Sequence, residues 1–366
     1  MRQSSDIAVE VVELGKNYGP VRALNSVSFS IESGQYYALL GPSGGGKTTL
    51  LRLIGGFLRP SAGRVYLHGE DVSHLPPNRR PTSMVFQNYA LFPHMNVERN
   101  VAYGLKLLKA PPGEVRDKVE RMLAMVGLEG YNRRMPHELS GGQQQRVQLA
   151  RSLVLERDIL LLDEPLASLD AKLRKDMCLE LKRIQEKVGI TFIHVTHNQE
   201  EALTVADRIA IISDGDLVEE GTARDIYETP QKRFTAEFIG DNNVLEGAVV
   251  SVSDGRVTVD LGFARVDVPS HGVAAAKGDA VALSIRSELL RIVEPGRDPD
   301  PSWQLMPAAY VEAIYLGLTI SHLVRLPDGT EIVARVMSGE RSGEDFEPGR
   351  EVTVGWPGDR ARLHVA

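Results

Sequence analysis

The chain has 366 residues and a single cysteine, Cys178. One thiol excludes a disulfide framework and points to a reducing compartment. Cys178 falls in a helical stretch and reads as a small packed hydrophobe. Long apolar runs are missing too. Nothing approaches the ~18 consecutive apolar residues of a membrane span. The opening Met1-Arg2-Gln3-Ser4-Ser5-Asp6 lacks the apolar core of a signal peptide. A cytoplasmic protein that does not cross a bilayer by itself is expected. An excess of positive charge is missing: 42 Lys and Arg against 49 Asp and Glu leave a net charge of −7, which argues against a general binder of nucleic acid or anionic membrane. What remains is ordinary for a globular protein, 42% hydrophobic and 25% charged, and long enough for two domains.

The most informative stretch is Gly41-Pro42-Ser43-Gly44-Gly45-Gly46-Lys47-Thr48-Thr49. An apolar run ending in Leu39-Leu40 precedes it, and a helical pattern from Leu50 to Ile54 follows. Strand, glycine loop and helix in that order make the phosphate-binding P-loop. The glycines let successive N–H groups turn inward as an anion nest, and the helix N-terminus adds partial positive charge. In such loops the lysine, here Lys47, reaches the β- and γ-phosphates and the hydroxyl of Thr48 ligates Mg²⁺. The stretch is shaped to hold a nucleoside triphosphate.

Further along, Leu139-Ser140-Gly141-Gly142-Gln143 opens a second helix, with Ser140 as its expected N-cap. This makes a second anion-shaped helix start, which can serve a nucleotide held by another subunit. The run Ile159-Leu160-Leu161-Leu162-Asp163-Glu164 reads as a doubly buried parallel strand with acids at its carboxyl end, where α/β sheets place ligands. Asp163 suits the Mg²⁺ side, and Glu164 suits a general base for water. His197 ends another strand, Thr191-Phe192-Ile193-His194-Val195, and is placed for a γ-phosphate contact. Tyr18, in a polar loop, can stack on a base or simply pack at the surface. Met84-Val85-Phe86 reads as a short buried strand ending at Gln87. The aromatic Asn88-Tyr89-Ala90-Leu91-Phe92-Pro93-His94-Met95 suits a partner interface or a local cap.

Short strands with turns at Gly15, Gly19-Pro20 and Ser33-Gly34 are expected at the start. Helices and strands then alternate to about residue 240, predicting a mainly parallel α/β core with a helical subdomain at about 88–150. From 241 the pattern changes to period two. Hairpins are expected around Asp254-Gly255 and Asp328-Gly329, with Ser284-Ile285-Arg286 and Val352-Thr353-Val354 as further strands. An antiparallel β-barrel unit over 241–366 follows, with a proline-rich loop at 294–301.

Taken in order, Tyr18, Gly41 to Thr49, Gln87, Leu139 to Gln143, Ile159 to Glu164, Ser168-Leu169-Asp170 and His197 resemble an ATP-binding cassette (ABC) ATPase over about two thirds of the chain. The resemblance implies a head-to-tail homodimer. Each ATP would lie between Gly41–Thr49 of one subunit and Ser140-Gly141-Gly142-Gln143 of the other. It also gives Tyr18 the adenine, Gln87 a place at Mg²⁺ and water, and Asp170 a contact across the dimer. Residues 88–95 would face a transmembrane permease. Two positions depart from the pattern: Asn198 stands after His197 where importer ATPases usually carry aspartate, and Ala167 replaces a common serine or glycine. The tail is similar to the oligobinding-fold (TOBE-type) domain of importer ATPases, and Tyr315-Leu316-Gly317 looks most like the spermidine/putrescine branch, with iron, sugar and sulfate importers close behind.

Three functions follow as candidates. The first is the energy-coupling ATPase of a bacterial solute importer, peripheral on the cytoplasmic face of the inner membrane and served indirectly by a solute-binding protein. The second is a soluble cassette ATPase of DNA repair or translation. The third is a non-enzymatic regulator. Only about fifty residues separate Gln87 from Ser140, too few for the coiled coil of repair enzymes, and Glu164 with His197 speaks against a dead ATPase. The importer reading is preferred. The tail is expected to regulate or brace the dimer, since every residue assigned to phosphate, metal or water precedes it.

Overall fold

Strands β1 (Ile7–Tyr18) and β2 (Val21–Glu32) pair antiparallel across Gly19-Pro20 in the computed structural model, which describes residues 7–87, 91–293, 301–339 and 346–365. Next, β3 (Tyr36–Leu40) runs into the glycine loop, and α1 (Lys47–Ile54) leaves it. With β4 (Ala62–Leu67) and β5 (Glu70–Asp71), the first strands complete a four-stranded antiparallel sheet in the order β2-β1-β4-β5. Gly15 is not a turn as expected. It lies inside β1 at an irregularity of register, where a Cβ would come 3.0 Å from the Asn25 carbonyl oxygen. A bulge lets the long strand bend without ending.

The chain continues through β6 (Thr82–Val85), α2 (Val97–Leu107), α3 (Pro112–Met125), α4 (Gly141–Leu153), β7 (Ile159–Asp163), α5 (Ala171–Val188), β8 (Thr191–Thr196), α6 (Gln199–Val205), β9 (Arg208–Ser213) and β10 (Asp216–Thr222). The second sheet has the order β10-β9-β3-β8-β7-β6, parallel except for β10. The expected α/β core is this sheet, and the antiparallel layer of β1 and β2 accompanies it.

Its central strands β3, β7 and β8 are buried at every position. Alternate residues face different cores. Tyr36, Leu160, Leu162 and Phe192 pack with helices α2 to α5, whereas Tyr37, Leu39, Leu161 and Ile193 pack with α1 and the antiparallel sheet. Both faces covered by apolar layers explain why these strands read as unbroken hydrophobic runs. β6, expected to be buried, is the sheet edge: Met84 is half-buried, and Phe86 lies beyond the strand and is exposed.

Two compact units result, residues 1–224 and 225–366. The division comes earlier than the expected boundary at 240/241. The physical reason lies in α7 (Ala223–Glu228) and α8 (Arg233–Phe238), whose ends are fastened to the later strands. Buried Arg286 donates to the carbonyls of Tyr227 and Ile239, and the Tyr227 hydroxyl donates to Glu288 at 2.8 Å. Arg286 would be an uncompensated buried charge without those carbonyls.

The second unit adds β11 (Asn242–Ser253), β12 (Arg256–Asp260), β13 (Arg265–Pro269), β14 (Ala280–Arg286), β15 (Arg291–Val293), β16 (Trp303–Tyr315), β17 (Thr319–Arg325), β18 (Glu331–Met337), β19 (Glu351–Pro357) and β20 (Arg362–Val365). They form two five-stranded antiparallel sheets, β13-β12-β11-β14-β20 and β15-β19-β16-β17-β18. Val257 and Leu283 of the first share one core with Val354 and Trp356 of the second. Both hairpins occur at the expected dipeptides. At Asp254-Gly255 both residues take positive φ, 49° and 72°, as a tight two-residue hairpin requires. The expected loop at 294–301 lies, except for Pro301, outside the described residues.

Candidate active site

Four strands of the parallel sheet end at the same edge. β3 delivers the glycine loop, β8 the pair Thr196-His197, β7 the pair Asp163-Glu164, and β6 the segment to Gln87. Since β8 lies between β3 and β7, pairing sets Leu40 beside Thr196, and Asp163 beside Val195. Residues from four distant stretches thus converge where parallel sheets bind ligands.

Some glycines of this loop leave no room for a side chain. A Cβ on Gly41 would sit 1.9 Å from the Ile212 carbonyl oxygen, and one on Gly46 would sit 2.7 Å from that of Ala23. Gly46 also takes φ 104° as the N-cap of α1, with no side chain to cap the helix. Lys47 is buried, and its ammonium donates to the carbonyls of Gly41 and Pro42 at 2.9 and 2.8 Å. Burial pushes its pKa down, and the charge of Glu164 opposes that shift. Thr48 and Thr49 lie in the first turn of α1.

The Thr48 hydroxyl donates to Asp163 Oδ1 at 3.1 Å, and Arg52 reaches the other oxygen at 3.6 Å. Burial raises the Asp163 carboxyl above its ordinary range, with Thr48 and Arg52 acting against it. Glu164 has φ 45°, and its N–H donates to the Val195 carbonyl. Such a left-handed non-glycine residue costs about 1–3 kcal/mol and persists where the surroundings fix it. The strained backbone leaves the carboxylate between two side chains: Gln87 Nε2 donates to Oε2 at 3.2 Å, and His197 Nδ1 lies 3.3 Å from Oε1.

Tyr18, Ser140 to Gln143 and Asp170 are not brought into contact with this group among the described residues. Tyr18 is exposed at the end of β1, with the Lys16 ammonium 5.2 Å from its ring centre. Ser140 caps α4 reciprocally: its Oγ accepts from the Gln143 N–H at 3.3 Å, and Gln143 Oε1 accepts from the Ser140 N–H at 3.0 Å. Gly141 and Gly142 follow in the first turn, Gly142 against the side chain of Leu173. Asp170 caps α5 by accepting from the Leu173 N–H.

Residues 24–167 match the family described as ABC transporter, and residues 283–363 match the TOBE domain. A spermidine/putrescine import ATP-binding protein of Rubrobacter xylanophilus is 45% identical over 96% of this chain and 92% of its own. One of the same name from Roseobacter denitrificans is 46% identical over 97% of each. The chain belongs to the ABC transporter family of ATP-binding proteins. Among solved structures, CbiO1 from Clostridium perfringens, part of the ABC transporter complex CbiONQ, is 31% identical with a TM-score of 0.57, covering 60% of this chain and 90% of that one. As a member of this family, the protein binds ATP and is a transport-coupled ATPase.

Several charges of this ABC ATPase were not singled out in the sequence. Arg52 lies one turn after Thr48 on α1, a spacing that could have flagged it. Arg80 is buried and donates to the carbonyls of Leu53, Ile54 and Leu75 at 2.7 to 3.0 Å, so a cation finishes the P-loop helix. Burial lowers its pKa to about 10, which leaves it charged at neutral pH. Its one local signal is the Arg79-Arg80-Pro81 run at the end of a short 3-10 turn after β5.

Proposed function

We propose that this ABC ATPase energises import of a polyamine, spermidine or putrescine, working as a homodimer against permease subunits on the cytoplasmic face of the inner membrane. The observation that carries the substrate is the run of relatives named for spermidine/putrescine import, 40–46% identical over 88–98% of this chain. That similarity extends through the second unit. Among the described residues no helix is long and apolar enough to cross a membrane, consistent with a need for separate permease subunits.

The donor set fits Mg²⁺. One hydroxyl and one carboxylate stand together at Thr48 and Asp163, with Gln87 on the neighbouring strand end, and among the described residues no group of three His, Cys, Asp or Glu is placed to hold a metal by itself. Mg²⁺ keeps several waters and takes other oxygens from phosphate, so two or three protein donors suffice. When bound, it would neutralise charge developing on the phosphates. In this reading Lys47 exchanges the Gly41 and Pro42 carbonyls for β- and γ-phosphate oxygens. Glu164 accepts the proton of the attacking water, Gln87 orients that water, and His197 contacts the γ-phosphate. Tyr18 stacks on the adenine. The Ser140-Gly141-Gly142-Gln143 turn of a second copy closes over the phosphates, and Asp170 contacts that copy.

The permease contact is assigned to residues 88–95, of which 88–90 lie outside the described residues. The remainder is shaped in advance. Asn100 is fully buried, and its amide donates to the carbonyls of Phe92, Met95 and Asn96, while Arg151 lies over the Phe92 ring at 4.3 Å. The test is uptake by proteoliposomes carrying the chain with its permease subunits. ATP-dependent accumulation of labelled spermidine, lost in Glu164→Gln, is expected. Accumulation of sulfate, sugar or iron(III) in place of spermidine overturns the substrate.

A further inference from the structure

Behind His197 lies a buried carboxylate that the roles above do not use. Glu201, in the first turn of α6, is 5% exposed, and its Oε2 accepts from the Thr196 hydroxyl at 2.6 Å. That hydroxyl in turn accepts from the Asn198 N–H at 2.9 Å. The Asn198 side chain then accepts from the Glu201 N–H at 3.1 Å. These three hydrogen bonds close a ring around His197, fixing the backbone on both sides of it. The second oxygen of Glu201 faces Arg174 Nε at 3.5 Å. Arg174 Nη2 donates to the Leu169 carbonyl at 2.7 Å. Leu169 directly precedes Asp170, the residue proposed to contact the partner copy. A narrow cleft lined by Glu164, Ala167, Arg174, His197 and Glu201 marks where the two segments meet.

Burying a carboxylate costs several kcal/mol, and apolar packing in its place is often as stable. Stability is therefore a weak account of Glu201, whereas its partners are telling. Thr196 and Asn198 flank His197, and Arg174 holds the Leu169 carbonyl beside Asp170, the arrangement by which outer groups orient inner ones. Buried His194 Nε2 also lies 3.7 Å from Glu201 Oε2. We infer that Glu201 is a positioning residue, holding His197 in register with Glu164 and, through Arg174, tying that register to the Leu169 turn. The inference rests on the roles proposed for His197 and Glu164.

The test compares wild type, His197→Ala, Glu201→Ala, Glu201→Gln and the His197→Ala/Glu201→Ala double variant. ATP affinity is measured by calorimetry, and kcat and KM by phosphate release. Glu201→Ala is expected to lower kcat ~10–100-fold, the range for outer groups that orient active ones. Its ATP affinity should stay within about twofold of wild type, because the glycine loop is untouched. The double variant should be no slower than His197→Ala alone, since a residue acting through another adds nothing once the other is gone. Glu201→Gln keeps an acceptor for Thr196 and loses the charge facing Arg174, so its kcat should fall between. Multiplying losses in the double variant, or a fall in ATP affinity matching that in kcat, overturn the inference. Should Glu201→Ala not fold, the near-isosteric Glu201→Gln carries the same cycle, and wild-type kcat in it is equally fatal. Fast Glu201 variants beside a slow His197→Ala remove the inference alone. Wild-type turnover by His197→Ala removes the underlying catalytic reading and the inference with it.

Discussion

Helices α1 and α4 both begin on glycine-rich turns suited to an anion, and they begin differently. The N-cap of α1 is a left-handed glycine that offers its N–H groups no side-chain acceptor. Around it stand a buried lysine, a hydroxyl on a carboxylate, and Glu164 between Gln87 and His197. The N-cap of α4 is a serine in a reciprocal box with Gln143. The serine cap satisfies one N–H of the α4 start, that of Gln143, and the box one more, that of Ser140, whereas the glycine cap of α1 offers its helix no side-chain acceptor at all. In the proposed dimer these are the two halves of one site. The α1 half holds and cleaves the nucleotide, and the α4 half, its turn held in shape by the Ser140–Gln143 box, arrives from the second copy.

The comparison breaks most visibly if the chemistry is not confined to the α1 side. Glu164→Gln should lower turnover by roughly 10²–10⁴-fold, the usual share of a general base, while ATP affinity is retained. Phosphate release within a few-fold of wild type would remove Glu164 from that role. Lys47→Ala comes next. It deletes a charged donor worth about 1.5–3 kcal/mol, so ATP should bind roughly 10–100-fold more weakly. Unchanged affinity by calorimetry would put the phosphates elsewhere. Ser140→Arg sharpens the difference between the halves. It should leave the ATP affinity of the monomer near wild type and abolish ATP-driven dimerisation of Glu164→Gln, read on a sizing column. Weakened binding by the monomer would place α4 in the same half-site as α1.

The glycine loop, the acidic strand end and His197 were legible because each depends on a local arrangement: a strand, a sharp turn, then a functional group. Sheet order brings them together, and the alternation of strands and helices already implied such a sheet. Gly15 misled because a bulge inside a long strand and a turn between short ones use the same residue. The unit boundary misled because composition changes near 241, whereas the fastening of α7 and α8 depends on Arg286, distant in sequence. Arg80 reaches back to the carbonyls of Leu53 and Ile54, and Arg174 faces Glu201. The nearer partners, the Leu169 carbonyl and the Thr196 hydroxyl, are groups whose pairing the fold decides, so side-chain identity alone gave little warning. Charges proposed to act on ATP sit in motifs, while those that hold neighbouring backbone are scattered.

The smallest expected effect concerns a third helix start. Asn198 caps α6, accepting from the Glu201 N–H, where the importer pattern carries aspartate. Asparagine and aspartate are near-equal N-caps, so the hydrogen bond survives in Asn198→Asp. The new charge gains about 0.3–1 kcal/mol from the helix start. Glu200 and Glu201 in the first turn of α6 oppose that gain by like-charge repulsion. The balance should stay within about 1 kcal/mol, a shift in melting temperature of roughly 2–4 °C at most for a unit of this size. Turnover should remain within about twofold, because the backbone of His197 keeps both of its anchors. Melting followed by circular dichroism and steady-state ATP hydrolysis measure the two quantities. A tenfold change in kcat with unchanged melting would mean that the side chain at 198 touches the reaction, and that capping describes only part of its work.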